Sequence, residues 1–172
     1  YPLMRKYLDA WVPRWTGKDG DQYAHTLTSG LGDWLPPEGV PTINALVSTA
    51  FYANMARIAA DTARVLKDAP GAATYDALFV KIRDDFNARF FSTDGVYREK
   101  PDEPFVQTAQ VLPLAFGLVP DAQRAAVADR LAAAHHVGRR RHRADRPHET
   151  RRGALVGLIR RLMAAPRPRG QT

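Results

Sequence analysis

The chain has 172 residues, 45% of them hydrophobic and 25% charged, which is enough length for one domain with a real core and the composition of a globular protein. It has no cysteine, which excludes disulfides, thiolate chemistry and a Cys-ligated metal. No apolar run reaches the ~18 residues of a membrane span. The net charge of +7 is unevenly spread: Val137 to Thr172 holds eleven Arg, no Lys and two acids (Asp145 and Glu149), for +9, and the remaining 14 basic and 16 acidic residues leave the body at −2.

The chain opens with Tyr1-Pro2-Leu3, without an initiator Met and already inside a helical pattern, so it reads as a piece of something longer. Leu3, Met4, Tyr7, Leu8 and Trp11 recur at helical spacing up to Pro13. Thr16 to Val40 is a loop of functional length. Pro41-Thr42 opens a helix to about Leu66, with Leu46, Ala50, Ala53, Ile58 and Val65 as apolar positions and small residues that suit close helix packing; Pro70-Gly71 breaks it. From Ala73 to Phe90, Tyr75, Leu78, Phe79, Ile82, Phe86 and Phe90 form an amphipathic stripe. Ser92 to Phe105 is a second long loop turning at Asp94-Gly95, and only Gly95 to Arg98 reads as extended. Val106 to Val119 is nearly all apolar and predicts a buried inner helix that Pro113 bends or occupies in its first turns. Asp121 to about Ala134 predicts a last amphipathic helix with Val127 and Leu131 facing inward. Outer amphipathic and inner apolar helices in alternation imply an all-α layered or toroidal architecture, with a simple bundle as the alternative.

The most informative segment is Gly30-Leu31-Gly32-Asp33-Trp34-Leu35-Pro36-Pro37. Its glycines permit a tight turn and its prolines stop helix growth, so a loop presents one carboxylate beside one indole. That pairing suits a sugar, whose C–H groups pack on the ring while its hydroxyls donate to the acid. An N-cap Asp followed by a core Trp is the other reading. Gln107 and Thr108 stand at the entry of the inner helix, where Thr108 also suits a cap. Trp11 and Trp15 read as core or rim aromatics, and His25 as a solvated loop residue. Glu38, Glu99 and Glu103 are loop carboxylates whose geometry nothing in the sequence sets, so no catalytic pair is assigned.

Five segments stand in register: Gly32-Asp33-Trp34-Leu35, Ser48 to Ala53, Ile82 to Phe90, Asp94-Gly95-Val96-Tyr97, and Gln107 to Pro120. Their order and spacing resemble the catalytic domain of bacterial α-L-rhamnosidases, glycoside hydrolase family 78, over residues 1–134. The resemblance implies part of an (α/α)6 toroid from an inverting enzyme that releases terminal L-rhamnose from glycosides and polysaccharides. It implies Asp33 and Trp34 as walls of the rhamnose pocket, with Gln107 and Thr108 facing the same cavity, no cofactor, and the remainder of the catalytic domain as partner. Inversion needs two carboxyl groups about 6.5–9.5 Å apart. The family's general acid and general base are Glu residues in motifs that these 172 residues do not contain. An open piece of a toroid implies marginal stability.

Residues 135–172 form an Arg-rich tail, expected to be disordered or frame-shifted. His135, His136, His142 and His148 do not read as a metal site, because the adjacent Arg charges repel a divalent cation. A nucleic-acid arm is the reading from charge alone, but no aromatics are interleaved for stacking. Arg without Lys is what GC-rich glycine codons yield out of register, and a one-nucleotide slip after Ala134 permits a Gly-rich continuation like the family's. Apart from the rhamnosidase reading, a helical sugar-binding module and a nucleic-acid-associated helical protein are the remaining functional alternatives.

Overall fold

The computed structural model describes residues 1–18, 21–32, 44–100 and 102–142, with side chains to Ala134. Among the described residues five α-helices follow one another: α1 (Pro2–Lys6), α2 (Asn44–Val65), α3 (Ala69–Phe90), α4 (Gln107–Phe116) and α5 (Asp121–His142). Among the described residues there is no β-strand, only the isolated antiparallel bridges Thr16↔Leu27 and Phe91↔Tyr97. The second holds the short extended piece expected near Tyr97. No helix among these residues is long and apolar enough to cross a membrane.

The centre of the fold is the α2–α3 pair. Along one face of α2, Ala50, Ala53, Ala56, Ala59, Ala60 and Ala63 are all buried. Short side chains let the neighbouring backbone approach, and α3 fills the space with Tyr75, Ile82, Phe86 and Phe90, each at most 2% exposed. Only Leu66 to Asp68 separate the two helices, a connection length that makes antiparallel neighbours. Ile58 and Val65, expected inside, are 44% and 82% exposed. They continue from Phe51 at seven-residue steps, a second apolar stripe turned away from the alanine face. A helix apolar on two faces has the pattern of an interior helix.

Pro70-Gly71 is not a break but the first turn of α3. Proline is welcome there because its missing N–H would be unpaired anyway. Asp68 caps the helix, its carboxylate accepting the Gly71 N–H at 3.0 Å and the Tyr1 hydroxyl at 2.9 Å. α1 continues as a wide turn over Tyr7–Trp11 and a tight one over Val12–Arg14, where Pro13 ends the helix as expected. Tyr75 donates to Asp9 at 3.0 Å, which ties this segment to α3; burial and then that bond push its phenol up to about 12. Pro113 lies inside α4, in its second turn, and Gly117, at φ 73°, closes α4 in the left-handed conformation that glycine adopts without strain. α5 buries Val127 and Leu131 as expected, but its backbone runs past Ala134 to His142.

Two outcomes test this packing. Ala59→Leu overfills the α2–α3 contact and should cost about 1–3 kcal/mol in urea unfolding, whereas Val65→Lys should stay within about 0.5 kcal/mol. The reverse order would refute the assignment of faces. The Gly71 N–H, then the Tyr1 hydroxyl, hold the Asp68 carboxyl below its ordinary pKa. Its stabilisation is therefore complete above the unfolded value of about 3.9 and is lost as the pH falls through the lower native value. Asp68→Asn should flatten the acid limb of melting temperature against pH, and an unaltered limb would contradict the role.

Candidate functional site

Two loops carry the residues singled out in the sequence. The first, residues 15–32, leads the chain toward Asp33 and Trp34; those two residues, and Glu38, lie outside the described residues. The second, residues 91–106, leads into Gln107 and Thr108, which are half-buried in the opening turn of α4. The N-cap of α4 is Val106, so Thr108 is not the cap: it already lies inside the helix.

The first loop is pinned to α2 and α3 by side chains. Leu27 N–H donates to Thr49 Oγ1 at 2.9 Å, and that hydroxyl donates on to the Ala45 carbonyl at 2.7 Å. Gly30 lies so close to α2 that a Cβ would stand 1.9 Å from Ser48 Oγ, and its φ of 151° is one that side-chain-bearing residues avoid. No other residue fits there. Tyr23, at φ 65°, takes a left-handed conformation that costs a non-glycine residue roughly 1 kcal/mol or more, and the Thr26 N–H and hydroxyl both donate to its carbonyl.

His25 is not a freely solvated side chain. Its backbone N–H and its Nδ1 reach one oxygen of Asp85 at 2.8 and 2.9 Å. A carboxylate can only accept, so Nδ1 carries the proton. One turn further along α3, the Arg89 guanidinium donates to Thr26 Oγ1 at 2.8 Å, the Leu27 carbonyl at 3.3 Å and Glu99 at 2.9 Å.

The second loop is held by amide side chains. Gln110 accepts the Tyr97 N–H and donates to the Tyr97 carbonyl, both at 2.9 Å, and is 1% exposed. Asn87 accepts the Tyr97 hydroxyl at 2.7 Å and donates to the Leu118 carbonyl at 2.8 Å. Burial pushes the Tyr97 phenol strongly upward, so it stays neutral and keeps donating. Glu103 accepts the backbone N–H groups of Glu99 and Lys100 at 2.9 and 3.2 Å. Glu99 and Glu103 are thus engaged in shaping the loop. Trp11 and Trp15, 48% and 47% exposed, do not belong to the core. Among the described residues no group of three or more His, Asp or Glu is placed to hold a metal.

Asp85, Arg89, Asn87 and Gln110 were not singled out from sequence. A signal for Gln110 existed, since a lone amide in an apolar helix must find partners if buried. Asp85 and Arg89 flank the apolar stripe of α3 four residues apart, which marks one shared face but not what they reach.

The chain matches the family described as bacterial alpha-L-rhamnosidase 6 hairpin glycosidase domain over residues 1–143. It belongs to that family. An α-L-rhamnosidase of Streptomyces avermitilis is 40% identical over 127 residues, which are 73% of this chain and 11% of that protein. One from Formosa agariphila is 32% identical over 125 residues, 69% of this chain and 12% of that protein. The crystal structure of a Streptomyces avermitilis α-L-rhamnosidase complexed with L-rhamnose superposes with a TM-score of 0.67 at 32% identity, over 80% of this chain and 12% of that one. This rhamnosidase-family chain therefore spans about an eighth of its relatives' length, and its helices are part of an all-α six-hairpin domain.

Within this family segment, Gln110→Leu would leave both backbone groups of Tyr97 buried without partners. The expected loss is about 2–4 kcal/mol in chemical unfolding. A loss below about 1 kcal/mol would show that the amide clamp contributes no more than an ordinary surface bond.

Proposed function

We propose that this chain supplies part of the sugar-binding wall of an inverting glycoside hydrolase that releases terminal α-L-rhamnose from rhamnosides. The observation that carries the reading is the family match over residues 1–143, which includes the Gly-Asp-Trp segment and both site loops. The solved relative that superposes on the chain is a complex with L-rhamnose. In this reading Asp33 accepts hydrogen bonds from the sugar hydroxyls. Trp34 covers the apolar face of a deoxy sugar, whose C–H and methyl groups pack on an indole. Gln107 and Thr108 offer an amide and a hydroxyl from the opening turn of α4.

The two catalytic carboxyls belong to other segments of the enzyme. One protonates the glycosidic oxygen, the other activates water on the opposite face, and the transition state is oxocarbenium-like. The chain by itself supplies neither, so it binds without turning over. The remainder of the catalytic domain is the partner that covers Ile58 and Val65 on α2. In this reading the reaction uses no cofactor, metal or nucleic acid.

Calorimetric titration with L-rhamnose tests the proposal. Binding should weaken by about tenfold or more in Trp34→Ala and in Asp33→Asn, as expected for loss of a stacking plate or of a charge-assisted hydrogen bond. An aryl α-L-rhamnoside should remain intact. Equal affinity in the wild-type chain and Trp34→Ala would refute the wall assignment.

A further inference from the structure

Arg89 stands where the two site loops meet. One arm of its guanidinium, Nη1, reaches Thr26 Oγ1 and the Leu27 carbonyl in the first loop; the other, Nη2, reaches Glu99 in the second. The side chain is 19% exposed and its guanidinium carbon lies 4.9 Å from the centre of the Phe90 ring, so the fork is held on a packed surface rather than waving in solvent. Each contacted group is itself secured. Leu27 hangs on Thr49 of α2, Thr26 closes the Tyr23 turn, and Glu99 is fixed through its own N–H by Glu103. Asp85, one turn earlier on α3, adds the His25 anchor to the first loop alone.

We propose that Arg89 is a positioning residue that locks the two site loops into one register, so that the arm leading to Asp33 and Trp34 and the arm leading to Gln107 and Thr108 move as a unit. Its importance for sugar binding rests on the function proposed above; the coupling itself rests on the contacts of Arg89. A planar fork with donors on two sides does this and a lysine does not, because one ammonium cannot serve both loops with fixed geometry. In this role the residue acts through the loops it holds.

Hydrogen exchange and L-rhamnose titration on the full chain test this together. Glu99→Gln changes only the second loop, yet it should speed exchange of the Leu27 and Thr28 amides in the first loop severalfold. Arg89→Lys should keep a cooperative melt and weaken L-rhamnose binding by about tenfold, the equivalent of one charge-assisted hydrogen bond. Both results together support the proposal. If Glu99→Gln alters exchange only within residues 91–106, the coupling is refuted whatever the sugar does. If the wild-type chain and Arg89→Lys bind L-rhamnose equally well, the positioning role is refuted even where exchange is coupled. If the wild-type chain does not bind L-rhamnose but exchange is coupled, the loop lock stands and the sugar-wall reading fails.

Discussion

The contact between the alanine face of α2 and the aromatic face of α3 sets the position of everything else in the fold. Six buried alanines bring the helices close enough for Tyr75, Ile82, Phe86 and Phe90 to lose nearly all contact with water. Each buried aromatic or branched side chain is worth roughly 1.5–3 kcal/mol, so this one interface supplies a large share of the stabilisation available to a chain of this size. Small side chains on one partner and large ones on the other also give the contact a single fit, since volume changes on either side are felt directly.

Once α3 is held, its polar edge organises the loops. Asp85 and Arg89 lie one turn apart on one flank of the buried aromatics and Asn87 lies on the other, and each reaches a different piece of irregular chain: His25, the Thr26–Leu27 and Glu99 pair, and the Tyr97 and Leu118 region respectively. Loop backbone cannot be left unpaired against a core, so it is paired by side chains from regular structure. A rigid helix that carries the anchors gives two long loops a fixed geometry without strands of their own. That is the support a binding wall needs, because ligand groups must be placed to a fraction of an ångström.

The second apolar stripe of α2, with Phe51, Ile58 and Val65, follows from the same logic at the next scale. An interior helix of a layered all-α domain has neighbours on both sides, and its sequence is apolar toward both. The alanine side meets α3 within this chain, and Phe51 is met by Phe116 of α4 at 5.2 Å, edge to face. The stripe beyond Phe51 is the surface that a further layer of the six-hairpin domain suits.

Periodicity alone determined the succession of helices, the two long loops and most of the buried positions, from Leu46 through Phe90 to Leu131, because apolar side chains repeat with the helical turn wherever a helix has a face to bury. The resemblance carried by five short motifs placed the chain in its family and pointed to Asp33 and Trp34. Periodicity did not show that Ile58 and Val65 face away from α3, since a helix apolar on two faces has no single stripe to read. Nor did it show that Pro70-Gly71 starts a helix, because proline ends one helix and opens the next with the same residue. The partners of His25, Arg89 and Gln110 were decided only by tertiary structure. A polar side chain's role depends on which distant backbone group it meets, and separations such as the 60 residues between His25 and Asp85 leave no local periodic trace.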